Sequence, residues 1–362
     1  MTISGSVVGR ETVAYFKQAN TWGTASGGGD GILLVEDGME FGQALDPVEE
    51  NNSPWLQDYD LGQKTAGFNF KQAMRFDDIR GIAMVLGDGN YDAVVEENTG
   101  KGDYRHHIWP GADNFGDFAT MAIKKGSIVQ TLPSVKFAGF TLSGQSSPNR
   151  AEISFNTFAN DLTNASTVIT ASSFDSLSIP SGPAGRCYFR DFYFEINDQS
   201  AATLDYSATY EIANAVTSFE FSAQRQLASD YTNSSGLEIE EPVEDGYLES
   251  TLTLQLRNLD GIVDGFYNDW INKTKKKLRF RFTGPAASSA TGAVSDARVQ
   301  IDAPCVYVEN VDYGAYSGPG RISGSVTFRL VGAETTADAT GMNWVEPFRF
   351  KAINNQSSAQ VS

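Results

Sequence analysis

Ala66-Gly67-Phe68-Asn69-Phe70 runs on to Asp78-Ile79-Arg80-Gly81-Ile82, and Ser250-Thr251-Leu252-Thr253-Leu254 runs on to Ile262-Val263-Asp264-Gly265-Phe266. In each copy, apolar residues first alternate with polar ones, then fall three and four positions apart. That is a strand followed by a helix. Positions 68 and 252 are 184 apart, and so are positions 81 and 265. A second pair of segments recurs downstream. Pro133-Ser134-Val135-Lys136-Phe137 matches Pro304-Cys305-Val306-Tyr307-Val308 at an offset of 171, and Ile153-Ser154-Phe155 matches Val326-Thr327-Phe328 at 173. Order is kept in both halves, and differences in loop length account for the changing offset. The period is too long for a solenoid or propeller unit, so it implies two whole domains. We place them at 1–170 and 186–362, joined by a Ser/Pro/Gly-rich connector at 171–185.

Other segments extend the pattern. Leu252, Leu254 and Leu256 alternate with Thr251, Thr253 and Gln255, and Val326, Phe328 and Leu330 with Ser325, Thr327 and Arg329. Further strands are expected at 32–35, 135–142, 188–196, 218–223, 278–282 and 306–311. Helices are few and fall at matching places. Asp77 or Asp78 is placed to cap one carrying Ile79, Ile82, Ala83 and Leu86. Asn258 or Asp260 is placed to cap another carrying Ile262, Val263, Phe266 and Trp270. Each half therefore reads as a sheet-rich unit with one main helix. The tail, Asn354-Asn355-Gln356-Ser357-Ser358, reads as a loose end or an arm ordered by a partner.

A chain of 362 residues with 41% apolar content can bury a core in each half. The 23 Phe, 14 Tyr and 35 Gly suit short strands joined by glycine turns. The formal charge of −18 argues against a protein that grips nucleic acid through its phosphates, though not against one that DNA slides past. Cys187 and Cys305 occupy non-equivalent places, so no disulfide framework is expected and folding in a reducing cytosol is. No signal peptide or membrane-spanning apolar run is read.

No constellation points to catalysis, a cofactor or a metal. His106 and His107 are adjacent on an expected strand and face opposite ways, a poor arrangement for joint ligation. Gly27–Gly31 lacks a following Lys-Ser/Thr and leads into a strand, so it is a loop rather than a phosphate cradle, and Gly318-Pro319-Gly320 fails likewise. The pairs Glu49-Glu50, Asp77-Asp78 and Glu240-Glu241 are what 45 acidic residues produce freely. Asn258-Leu259-Asp260-Gly261 lacks the alternating ligands of a calcium loop. One charge feature stands apart: Lys273, Lys275, Lys276, Lys277, Arg279 and Arg281 crowd into nine residues. Alternation with Phe280 and Phe282 puts Lys277, Arg279 and Arg281 on one strand face. That face is a solvated surface, a nucleic-acid strip, or a contact with acidic surface on another copy. Lys275, Lys277, Arg279 and Arg281 are the candidates for contact between chains.

Glu11-Thr12-Val13-Ala14-Tyr15 through Thr21-Trp22-Gly23-Thr24 resembles the opening of tail tube proteins of long, non-contractile-tailed bacteriophages. Thr131–Gly144 with Ala151–Phe158, and the block Gly246–Trp270, are similar to later parts of that family. The resemblance spreads over most of the chain and rests on the order of these segments. It implies tandem β-sandwich or part-barrel domains, each flanked by a helix, in rings that stack into a tube conducting DNA from capsid to host. A duplicated chain would close such a ring with three copies and pseudo-sixfold symmetry. The implied partners are further copies of itself, a tape measure protein, other tail proteins and the passing genome, without a membrane and without enzymatic activity. The implied location is the virion tail, after folding in the host cytoplasm. Two alternatives stay open: another phage tail or baseplate structural protein, and a carbohydrate-binding β-sandwich protein.

Overall fold

The computed structural model describes residues 13–48, 58–87, 92–164, 166–179, 185–204, 216–232, 236–257, 262–314, 323–334, 342 and 344–358, without the side chains of 262–264. The fold is mainly β, with every strand pairing antiparallel. The first half contributes β1 (Val13–Ala19), β2 (Asp30–Leu33), β3 (Glu36–Pro47), β4 (Tyr59–Ala73), α1 (Arg80–Leu86), β5 (Val95–Glu96), β6 (Tyr104–Ile108), β7 (Phe118–Lys125), β8 (Ile128–Gln145) and β9 (Glu152–Ala159). The second contributes β10 (Phe192–Asp198), β11 (Val216–Gln224), β12 (Leu227–Ala228), β13 (Val243–Glu244), β14 (Glu249–Leu256), α2 (Ile262–Asn272), β15 (Lys276–Ala286), β16 (Asp296–Asp312), β17 (Gly324–Leu330) and β18 (Arg349–Asn354).

The two halves trace the same path. In the first, pairing runs β1-β7-β8-β9-β4-β3, and in the second β10-β15-β16-β17-β14-β11. Register matches as well as order. Phe70 pairs with Phe155 and Ala66 with Ala159; Leu254 pairs with Val326 and Ser250 with Leu330. These are the same pairs moved by 184 on one strand and 171 on the other. β8 and β9 pair Phe137 with Thr157, then slip by a bulge before Gly139. β16 and β17 pair Val308 with Phe328, then slip before Asn310. A second bulge, between Ala119 and Met121, recurs between Lys276 and Leu278 at an offset of 157. The pairing register thus sets Thr157 against Phe328, so the 173 offset read from the sequence becomes 171.

The bulges follow from the sequence. Inward residues on β8 are Val135 and Phe137, then Phe140 and Leu142; on β16 they are Val306 and Val308, then Val311. An apolar phase that switches between odd and even positions, from odd to even on β8 and from even to odd on β16, needs one extra residue in the strand.

The halves do not close separately. One continuous hydrophobic cluster includes residues of both. Its aromatic chain passes from Phe137 to Phe155 (5.7 Å between centroids), Phe140 to Phe155 (6.3 Å), Phe140 to Phe221 (5.8 Å) and Phe221 to Phe280 (5.3 Å). Each such ring contributes about 1.5–3 kcal/mol by burial.

Several expectations are corrected. Neither Asp77 nor Asp78 caps α1, whose N-cap is Ile79 without a side-chain cap bond. The carboxylates are taken instead by guanidiniums: Arg75 Nε to Asp77 at 2.9 Å and Arg80 Nε to Asp78 at 2.8 Å. Each guanidinium meets its carboxylate with an opposite charge and two N–H donors, which a single backbone N–H at the helix start does not supply. The strand expected at 188–196 begins at Phe192, after a short 3-10 turn at Phe189–Asp191. Asn354 is no loose end. It is 1% exposed, meets His106 Nε2 at 2.9 Å and donates to the Phe76 carbonyl at 2.9 Å. Glu49-Glu50, Asn258–Gly261 and Gly318–Gly320 lie outside the described residues.

Candidate assembly surface

The seam between the halves is a strand pairing. β8 from Gly139 to Gln145 runs antiparallel to β11 from Gln224 to Ser218, with Gly139 opposite Gln224, Phe140 opposite Ala223 and Thr141 opposite Ser222. Gln224 folds over Gly139: its Nε2 donates to the Phe140 carbonyl at 3.3 Å, and its Oε1 accepts from Asn156 at 3.1 Å. A Cβ at position 139 would lie 1.9 Å from that Oε1 and 2.8 Å from the Ala223 carbonyl, so any side chain there forces Gln224 out and shifts the seam backbone. Next along the chain, Arg225 sends its guanidinium into the first half. Its Nε donates to the Val85 carbonyl at 2.6 Å, and a terminal nitrogen donates to the carbonyls of Leu86 at 3.0 Å and Gly111 at 3.3 Å. Glu244 pairs with the other terminal nitrogen. The fork thereby satisfies the C-terminal carbonyls that a helix leaves open.

The loop after β12 crosses the same seam. Leu237 accepts from the Lys64 amide at 2.8 Å, Ile239 accepts from Trp22 Nε1 at 3.1 Å, and Glu241 pairs with buried Lys136 at 2.6 Å. Burial pushes the Lys136 ammonium down, and Glu241 acts against that shift.

What is closed at the seam is open at the two outer ends. β3, the counterpart of β11, pairs with β4 on one edge and with no strand on the other among the described residues. β16, the counterpart of β8, pairs with β15 only as far as Val306; beyond it, no strand lies on that edge among the described residues. Exposure follows the same asymmetry. Ala223 is 0% exposed, whereas Phe41, in the same place on β3, is 46% exposed. Every residue of α1 is buried, whereas α2 shows Tyr267, Trp270 and Ile271 at its surface.

The basic strip is mostly consumed inside the chain. β15 lies between β10 and β16, so it has no open edge along most of its length. Lys277 is fully buried and donates to the Ala201 carbonyl, which corrects the expected exposed face. The bulge at Lys276–Leu278 breaks the alternation on which that expectation relied. Lys276 pairs with Asp198 and Asp269 at 2.6 and 2.9 Å. Arg279 pairs with Asp302 at 2.6 Å, and Arg281 lies 4.6 Å from the Tyr193 ring centre. Lys275 keeps a surface position, 3.3 Å from Glu334.

The histidines do face opposite ways. His106 is buried, and burial pushes its pKa down to about 4 against its bonds to Asn354 and Gln356. His107 is partly exposed, 3.6 Å from Asp92. Cys187 and Cys305 are unbridged and buried. Among the described residues no group of three or more His, Cys, Asp or Glu is placed to hold a metal, and no helix is long and apolar enough to cross a membrane. No family model matches the chain, and no curated protein matches it.

Proposed function

We propose that this chain is a structural virion protein that polymerises into the hollow tail tube of a long, non-contractile-tailed bacteriophage. Three copies form a ring of six like domains, and rings stack. The observation that carries the reading is the repeated six-strand path with its seam closed inside the chain and open at both ends. A unit of that kind is built to be continued by further copies in head-to-tail order. The tandem halves then derive from duplication of one tube domain. The resemblance of the opening, middle and late segments to tail tube proteins supplies the type of assembly.

The polar side of the seam sheet suits a channel wall. Thr141, Ser143, Ser222, Thr253 and Thr327 present hydroxyls on solvent-facing positions, and Arg329 is bound by Glu249 and Glu309 at 3.0 and 3.1 Å. Such a wall, in a chain of charge −18, offers phosphates few unpaired cations, so DNA moves along it without being held. The partners proposed are other copies, a tape measure protein and other tail proteins, with the genome in transit. Electron microscopy of the purified, negatively stained protein tests the reading: hollow tubes with three chains per ring are expected. Monomers at every concentration would refute it, and six chains per ring would refute the three-chain closure.

A further inference from the structure

The internal repeat fixes which backbone edges meet when one copy joins the next. We infer that the outer edge of β16 pairs antiparallel with the outer edge of β3 of a second copy, with Asn310 opposite Gly42, Val311 opposite Phe41 and Asp312 opposite Glu40. This deepens the proposed self-assembly and rests on that reading only for the claim that copies associate. The register comes from the chain itself.

β8 corresponds to β16 at an offset of 171, through Val135 and Val306, Phe137 and Val308, and the shared bulge. β3 corresponds to β11 at an offset of 182, because Met39 pairs with Phe68 where Phe221 pairs with Leu252. Within the chain, β8 and β11 pair Gly139 with Gln224, Phe140 with Ala223 and Thr141 with Ser222. Moving β8 forward by 171 and β11 back by 182 gives the three intermolecular pairs named above. Among the described residues no other strand pair offers both members of a matched seam.

Three observations, none used to obtain that register, agree with it. First, the tight position is conserved in kind but exchanged in side. Gly139 receives the Gln224 side chain, and in the inferred pairing Gly42 faces the amide of Asn310. Second, surface covered at the inner seam is uncovered at the outer one. Ala138 is 8% exposed, while its counterpart Glu309 is exposed; Ala223 is buried, while Phe41 is not. Third, Trp270 and Ile271, two of the α2 residues that stay at the surface, match Leu86 and Gly87, which are buried in the first half. Arg225, next to the seam strand, reaches the carbonyl of Leu86 there. An edge strand left in this state is a template for another chain. A protein of different sequence would have to reproduce both outer edges, whereas a second copy already carries them.

The faces are consistent with this pairing. Val311 and Phe41 lie on the core side, as Phe140 and Ala223 do, so the pair continues the buried layer. Asp312 and Glu40 lie on the polar side, where two like charges meet. That pair opposes association at low salt and not at high salt.

The test is disulfide trapping in the full-length protein. Glu40 and Asp312 are both exposed, so replacing each by cysteine leaves the fold intact, which circular dichroism checks. The native thiols are buried and stay in place as the background. Chains carrying Glu40→Cys mixed with chains carrying Asp312→Cys should yield covalent dimers and nothing larger on mild oxidation. Chains carrying both should yield a closed covalent trimer. The out-of-register combination Phe41→Cys with Asp312→Cys points its side chains to opposite faces and should cross-link about tenfold less. Rings or tubes in the microscope without a link between positions 40 and 312 would overturn this pairing and leave the tube reading standing. Equal linking in both registers would also overturn it. Monomers throughout would remove both.

Discussion

Replacing Arg225 by Met tests how the halves are locked. The Arg225 side chain is 1% exposed and Glu244 17% exposed, so their ion pair is largely removed from water. Removing the guanidinium while keeping the aliphatic stem leaves Glu244 without its cation, a loss of about 3–5 kcal/mol for a buried pair broken on one side. It also strips the Val85 carbonyl of its donor at 2.6 Å, about 1–3 kcal/mol where no water replaces it, while the Leu86 carbonyl keeps the Gly111 amide at 2.8 Å. These terms overlap because one guanidinium serves all of these partners, so the sum is not the expectation. We expect a loss of about 4 kcal/mol. With a urea m-value of about 3 kcal/mol/M for a chain of this size, the midpoint falls by about 1 M. The assay is urea unfolding followed by tryptophan fluorescence. Trp22 is a useful reporter because it donates to Ile239 across the seam and stacks edge-on against Phe118 at 5.2 Å. Arg225→Lys keeps the charge without the fork and should fall between wild type and Met. A loss under about 1 kcal/mol for the Met variant would refute the latch, because it would mean that water already serves the Val85 carbonyl and Glu244.

Other outcomes follow from individual environments. His106→Gln should flatten the acid limb of stability: the folded imidazole titrates near 4 and the free one near 6.5, so wild type is fully stabilised above 6.5 and loses about 3 kcal/mol as pH falls to 4, measured as midpoint against pH. An unchanged slope in the variant would remove His106 as the cause. Gly81→Ala should destabilise by about 1–2 kcal/mol in the same assay, although alanine is the better helix former, because its Cβ would sit 2.5 Å from the Phe155 ring. Arg279→Gln should lower stability by about 1–3 kcal/mol and leave the salt dependence of assembly alone, since its partner Asp302 is in the same chain. Glu40→Gln should tighten self-association at low salt by up to about 1 kcal/mol in sedimentation, and the gain should vanish at high salt.

Much of the fold was legible where one sheet face is apolar and the other polar. The β4–α1 and β14–α2 segments declare themselves because Phe68, Phe70, Leu252 and Leu254 alternate strictly, and their offset survives as a hydrogen-bond register. The bulges were legible in principle, in the change of apolar phase after Phe137 and after Val308, but a phase change also reads as a strand end. β3 was missed for a different reason. Its sequence, EDGMEFGQALDP, is rich in glycine and acids because one edge and much of one face meet solvent, so the usual strand signals are absent. The basic strip misled because charge implies exposure by default. Lys277 and Arg279 are held inside by a carbonyl and a carboxylate that lie far away in sequence, and no local pattern announces such partners. Arg225 was missed on the same ground: its three carbonyl acceptors all come from the other half.

The asymmetry between α1 and α2 ties these points together. Two like halves joined head to tail satisfy one seam and leave its equivalent open, however well each half folds. The open seam carries a real cost, since Phe41, Trp270 and Ile271 stay in water where their counterparts do not. Among the described residues no strand closes that seam; in the proposed assembly another copy does, and its addition leaves the same open seam at the new end. Growth stops only if the rotation from half to half brings the last open edge back to the first. In the proposed ring, the number of copies is therefore set by one angle, the turn across the β8–β11 pairing. If the intermolecular β16–β3 pairing repeats that turn, a step of about one sixth of a circle closes three chains. A mutation that changes the twist at this seam while the rest of the β8–β11 pairing holds should change ring size rather than abolish assembly. Gly139 is the position to alter, because any Cβ there must displace Gln224. Gly139→Ala should give rings of altered copy number or open spirals by electron microscopy. Unaltered three-chain rings from that variant would show that the turn is set elsewhere.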